Sequence, residues 1–180
     1  MELTLQDKPD ESSWREALAL YRAAFPAEGR KPEAILARMF EKRLGVLAAG
    51  SEEGVMKAMA VCGVLAEPKL LLIDYLAVRA ADRGRGAGTA FVSMIADWAK
   101  AQGLDGLLIE AEAEDTPENE ARIRFWEKCG FARTAYVHQY IWVPEPYRAM
   151  VRYFEPGRFP APDGMKLFKY ISEFHRRSFR

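Results

Sequence analysis

Cysteine is scarce in this chain. Cys62 and Cys129 are the only two among 180 residues, and both lie in apolar surroundings. Two distant thiols imply no disulfide framework, and reduced, buried cysteines fit a cytoplasmic protein. Histidine is as rare: neither His138 nor His175 has neighbours at metal-ligand spacing, so both read as surface or core residues and no metal is expected. Net charge is missing altogether, with 26 Lys plus Arg against 26 Asp plus Glu. That balance argues against nucleic-acid binding driven by overall charge. Long apolar runs are absent too. Leu70–Val78 is short and interrupted by Asp74, and Met1–Asp7 lacks the basic and apolar segments of a secretory signal, so a soluble chain with no membrane partner is expected. No internal repeat or low-complexity segment is present. Oligomeric state is left open, a homodimer included.

What is present is alternation of strand and helix patterns, at a length that fits one core. Leu3 and Leu5 alternate as a short strand. Ser13-Trp14-Arg15-Glu16 has the spacing of a capping box ahead of an apolar stripe running from Trp14 to Phe25, and Pro26 stops that helix. Ala27–Arg30 reads as a loop, and Pro32 opens a second helix with Ile35, Leu36, Met39 and Phe40 as its stripe. Leu44–Ala49 and Val55–Leu65 form a hairpin across Gly50–Gly54, and Leu70–Val78 is a central strand buried on both faces. A helix over Phe91–Ala99 leads to the strand at Leu107-Leu108-Ile109, which a helical crossover makes parallel to the previous one. Another helix follows Thr116 and stops at Gly130, and Phe131–Trp142 pairs antiparallel with Pro146–Phe154. The expected fold class is α/β: a mixed, mostly antiparallel sheet of about seven strands with a central parallel pair and helices on both faces. Residues 1–154 form the main unit, and 155–180 a proline-rich linker with a basic amphipathic helix docked on it, with Leu167, Phe168, Ile171 and Phe174 on its inner side.

The most informative segment joins the central strand to the next helix. After Ile73–Val78 comes Arg83-Gly84-Arg85-Gly86-Ala87-Gly88-Thr89. Alternating glycines let bare backbone N–H groups approach a ligand, and the following helix start adds a positive dipole end. Two arginines among those glycines suit a phosphate. A Walker loop is set aside because no lysine follows Gly88. A dinucleotide fingerprint, which would make the chain an oxidoreductase, is weakened because Thr89 stands at its third glycine and five residues separate Val78 from Gly84.

Strand, Arg-x-x-Gly-x-Gly and helix in this order resemble the acyl-CoA pyrophosphate loop of the GNAT superfamily of N-acetyltransferases. About forty residues on, Asn119-Glu120-Ala121-Arg122-Ile123-Arg124-Phe125-Trp126-Glu127-Lys128-Cys129-Gly130-Phe131 resembles a second GNAT segment, so two motifs stand in the right order. The resemblance covers residues 2–154 and leaves out the final helix. It implies an acyltransferase that moves an acetyl group from acetyl-CoA to a primary amine by direct attack. Leu76, Ala77 and Val78 would present backbone groups to the pantetheine arm. Arg83, Gly84, Arg85, Gly86, Ala87, Gly88 and Thr89 would hold the pyrophosphate. Asn119 would meet the pantetheine, or else serve as a helix cap or its neighbour. Phe125 and Trp126 would line the thiol end, or simply pack in the core. Many family members carry a tyrosine that protonates the thiolate where this chain has Trp126, and indole supplies no proton. That departure keeps an alternative open, a CoA-binding regulatory module with little turnover.

Carboxylates are the candidates for chemistry. Asp74 interrupts an apolar strand, where burial is costly without a partner, and is the candidate base. It is expected to share a face with Leu72, Leu76 and Val78. Glu110 and Glu112 alternate on the neighbouring strand and can point the same way, toward a cationic acceptor. If an acid is needed rather than water or none, Tyr136 or Tyr140 is the expected proton donor, ahead of Cys129, and the loop Pro26–Lys31 is expected to help shape the acceptor site.

Overall fold

The computed structural model describes all 180 residues. One sheet holds seven strands: β1 (Glu2–Gln6), β2 (Val46–Glu52), β3 (Val55–Leu65), β4 (Leu70–Val78), β5 (Gly106–Glu112), β6 (Ala132–Gln139) and β7 (Pro146–Tyr153). Their spatial order is β1-β2-β3-β4-β5-β7-β6, and every neighbouring pair is antiparallel except β4 with β5. The helices are α1 (Glu11–Ala24), α2 (Glu33–Glu41), α3 (Ala87–Ala101), α4 (Pro117–Lys128) and α5 (Gly164–Phe179). This is the expected α/β arrangement with its central parallel pair.

Helices cover both faces because the strands alternate apolar residues to both sides. α1, α2 and α5 bury Tyr21, Leu36, Met39, Phe168 and Ile171 on the face that carries Leu70 and Leu72. α3 and α4 bury Phe91, Val92, Ile95 and Ile123 on the face that carries Leu71 and Ile73. The last helix is therefore part of the first core, held there by Leu167, Phe168, Ile171 and Phe174. Two glycines make room for it. A Cβ at Gly63 on β3 would overlap the Phe174 ring, and one at Gly164 would lie 2.5 Å from Thr134 Oγ1 on β6.

Two local expectations are corrected. α1 begins earlier than Ser13, because Asp10 caps it: Ser13 N donates to Asp10 Oδ1 at 2.9 Å and Ser13 Oγ to Oδ2 at 2.8 Å. Aspartate caps as well as serine and comes first in the chain. Glu16 instead accepts the Met56 N–H on β3 at 3.2 Å. The β2–β3 turn is also tighter than expected. Strand pairing continues through Glu52, leaving Glu53 and Gly54 at φ 52° and 75°, the positive pair a two-residue hairpin turn requires.

Candidate active site

β4 and β5 pair over only three positions, Leu70–Leu72 with Gly106–Leu108. Beyond these the parallel strands separate, while β4 stays paired to β3 as far as Val78 and β5 to β7 as far as Glu112. The edge of β4 that faces β5 is thus open from Ile73 onward. Its backbone groups are free for an extended ligand to add on as a strand would.

A bulge lies at the point of separation. Val61 pairs with Tyr75 and Cys62 with Ile73, so Asp74 has no partner on β3. One extra residue reverses the side-chain alternation downstream. Tyr75 and Ala77 therefore face the α5 side, and Leu76 and Val78 face α3. Asp74 shares a face with Leu72 as expected, but not with Leu76 or Val78.

The glycine turn follows the open edge. Gly84 and Gly86 have φ of 74° and 81°, a conformation that a Cβ disfavours, and Gly86 is the N-cap of α3. No side chain caps that helix, so its first-turn N–H groups remain available to an anion. Arg83 Nε donates to the Val78 carbonyl at 2.9 Å, which ties the turn to the strand end and uses that acceptor. Gly88 lets α4 come close: a Cβ there would lie 3.1 Å from Phe125. Burial raises the pKa of the Cys129 thiol, with Thr89 nearby acting in the opposite direction.

On the opposite face, five segments contribute to one polar network. Lys31 precedes α2, and its backbone is held by two tyrosines: Lys31 N donates to Tyr75 Oη at 2.9 Å, and Tyr21 Oη donates to Lys31 O at 3.0 Å. Its ammonium donates to Asp74 Oδ2 at 2.5 Å, and both side chains are buried, at 6% and 4% exposure. Lys31 Nζ also lies 3.1 Å from His175 Nδ1 on α5. Because an ammonium can only donate, Nδ1 is the acceptor and the neutral ring carries its proton on Nε2. That nitrogen donates to Glu110 Oε1 at 2.5 Å, and Tyr140 Oη donates to Glu110 Oε2 at 2.8 Å. Burial pushes the Glu110 carboxyl up, but the hydrogen bonds from His175 and Tyr140 and the nearby Lys31 ammonium outweigh it and leave it below its ordinary value. Burial and the adjoining Glu110 charge hold the Tyr140 phenol far above its usual range, so it remains a donor. Asp74, Glu110 and His175 place donor atoms within 4.8 Å of one another, a spacing that a cation could bridge. Lys31 is the cation among them.

The sequence model of the acetyltransferase (GNAT) family matches residues 14–131, from α1 through α4. The chain belongs to the GNAT acetyltransferase family. A sequence comparison with curated proteins gave no match. Solved GNAT-type structures share its fold. The ribosomal-protein-S18-alanine N-acetyltransferase from Escherichia coli is 18% identical with a TM-score of 0.62, over 90% of this chain and 97% of its own. An aminoglycoside 6'-N-acetyltransferase complexed with coenzyme A is 15% identical with a TM-score of 0.66, over 91% and 100%. An acetyltransferase from Bacillus subtilis in complex with CoA is 16% identical with a TM-score of 0.63, over 86% and 99%. No helix of this GNAT chain is long and apolar enough to cross a membrane.

The residues singled out in the sequence fall into three groups. Leu76–Val78 end the open strand, and Arg83–Thr89 form the glycine turn into α3 after one short intervening turn at Ala80–Asp82. Asp74 and Glu110 meet in the network. Glu112 lies beyond it, 3.4 Å from Arg122 on α4. The others are used elsewhere. Asn119 is buried at the start of α4, where Thr116 is the cap; Asn119 Nδ2 donates to Glu114 O at 3.2 Å and its Oδ1 accepts from Arg122 at 2.9 Å. Trp126 packs edge-on between Phe125 and Phe131 at 5.0 and 5.1 Å, on the α3–α4 side of the sheet. Tyr136 stands apart from the network, its hydroxyl 3.2 Å from His138 Nδ1; Tyr140, four residues on, is the tyrosine that reaches Glu110.

Lys31 and His175 are the residues that sequence reasoning passed over. His175 had a signal: it lies seven residues after Phe168 and four after Ile171, on the apolar stripe of α5. A polar side chain on that stripe needs a buried partner. Lys31 carried no such mark beyond its place in a loop.

Proposed function

We propose that this GNAT protein transfers an acetyl group from acetyl-CoA to a primary amine by direct attack. The observation that carries the reading is the continuity of an open β4 edge with an uncapped, glycine-turned helix start, beside a buried polar network at the same strand separation. The edge suits a pantetheine arm and the turn from Arg83 to Thr89 a pyrophosphate. Neighbouring folds whose names record CoA and amine acetylation support this use of the surface.

In this reading the acceptor nitrogen attacks the thioester carbonyl, the C–N bond forms and the C–S bond breaks. Backbone N–H groups on the open β4 edge stabilise the oxyanion. The ammonium proton must leave first, and Glu110 receives or relays it. Asp74 is committed to Lys31 and acts through that ammonium. Glu112 contributes negative charge at the outer end of β5. CoA leaves as a thiolate, an acceptable leaving group without an acid, so Trp126 does not preclude turnover. Phe125 and Trp126 are proposed to back the thiol end from α4, with Asn119 securing the loop ahead of them.

Release of free thiol from acetyl-CoA against a panel of mono- and diamines tests the proposal. Amine-dependent release is the expected result. Binding of CoA without release from any amine would favour a regulatory CoA-binding module, the reading that Trp126 keeps alive. A many-fold gain in release on Trp126→Tyr would point the same way.

A further inference from the structure

We infer that Glu110 is the recognition carboxylate for a cationic acceptor, and that His175, brought by α5 from outside the matched family span, is the residue that positions it. The inference rests on the acetyltransferase reading and adds the substrate class and the residue that selects it.

Charge compensation sets Glu110 apart from the other carboxylates. Asp74 has its own ammonium in Lys31 at 2.5 Å. Glu112 has Arg122 and is partly open to solvent. Glu110 is different: both its oxygens are engaged, yet its hydrogen-bonding partners are a phenol and an imidazole that is neutral in this pattern. Two carboxylates with one ammonium leave the network with one negative charge in excess. An uncompensated carboxylate in a mostly buried site attracts an ammonium far more strongly than one in water. Glu110 also stands two residues past Leu108, the last β5 residue paired to β4, where the strands have parted. An acceptor nitrogen near the open β4 edge would meet this charge first.

His175 makes that charge adjustable. The groups facing its ring are Lys31 from the loop before α2, Asp74 from β4, Glu110 from β5 and Tyr140 just past β6. A second proton on the ring turns it toward Asp74 Oδ1, now 4.0 Å away, and sets an imidazolium against Glu110. The network is then neutral and its hold on an ammonium is lost. Capture should therefore weaken when acid protonates the ring. The position of α5 is set independently, by Phe174 lying on Gly63.

The test is calorimetric binding of 1,4-diaminobutane to the full chain, alone and with CoA, at pH 8 and pH 5.5. The parent should bind more weakly at the lower pH. Glu110→Gln should weaken binding at pH 8 by about tenfold or more, a loss of roughly 1.4 kcal/mol. His175→Gln keeps a neutral donor to Glu110 and should stay within about threefold of the parent at pH 8, while losing the decline toward pH 5.5. His175→Phe should resemble Glu110→Gln; if it fails to fold, the two glutamine variants decide. No diamine binding by the parent, undiminished binding by Glu110→Gln, or an unchanged pH decline in His175→Gln would each overturn the inference. A parent that binds diamine as described but releases no thiol from acetyl-CoA would instead defeat the acetyltransferase reading alone.

Discussion

The turn from Arg83 to Thr89 offers backbone N–H groups from consecutive residues and is exposed along most of its length. The network across the sheet takes one side chain from each of five segments between Lys31 and His175, and it is buried. The first site depends on backbone conformation, which two glycines secure locally. The second depends on where distant elements come to rest, so its energetics are tied to the fold. Substitutions in the turn should therefore cost binding with little stability, and substitutions in the network should cost both.

The largest effect is expected from Lys31→Met, which leaves Asp74 buried without a counter-charge. A loss of about 3–5 kcal/mol in urea unfolding is expected, as for other broken buried pairs. Adding Asp74→Asn should recover part of it; a loss under about 1 kcal/mol in the single variant would mean the pair is solvated. Next comes Gly63→Ala, which touches neither site but forces Phe174 off the sheet. Overpacking of this kind costs about 1–3 kcal/mol. The apparent Michaelis constant for the amine should rise while CoA affinity holds, and parallel losses in both would show that the two regions are not separable.

Gly86→Val attacks the other side of the comparison. Its Cβ would meet no chain atom within 4 Å, so the obstruction falls on the ligand, with backbone strain of about 1–2 kcal/mol at φ 81°. CoA affinity should drop at least tenfold by calorimetry, and unchanged affinity would remove the turn from the binding site. The smallest effect is a change of slope. Glu110 is held below its ordinary value, so it adds stability that is present above the usual carboxylate range and is lost as pH falls through its folded-state value. Thermal melts of Glu110→Gln should decline less steeply below about pH 4.5 than those of the parent. Identical slopes would show that other carboxylates govern acid unfolding.

The same contrast explains what could be read from the sequence. Strand, glycine turn and helix lie within about twenty residues, and their spacing carries backbone geometry directly. The apolar run of β4, the parallel crossover to β5 and the Gly-Phe stop after α4 were legible for the same reason. Asp74 and Glu110 stood out as carboxylates in strands, but their partners did not. No local pattern links Lys31 to Asp74, or His175 to Glu110, because those contacts exist only once α2 and α5 have packed. The bulge was hidden as well: Asp74 marked a break in the apolar run, but nothing in the sequence marked it as a residue without a strand partner.

That unpartnered residue has an evolutionary consequence. Without Asp74, β4 would read Ile73 then Tyr75 in plain alternation, and every other side chain of the strand would keep its present face. The residue thus behaves as a single-codon insertion in an otherwise regular strand. Deleting it, with Lys31→Leu to remove the stranded ammonium, should give a chain that folds but has lost one anchor of its network. The Tm and the amine Michaelis constant of that deletion would show whether catalysis in this lineage hinges on one codon, separable from the ancestry of the fold.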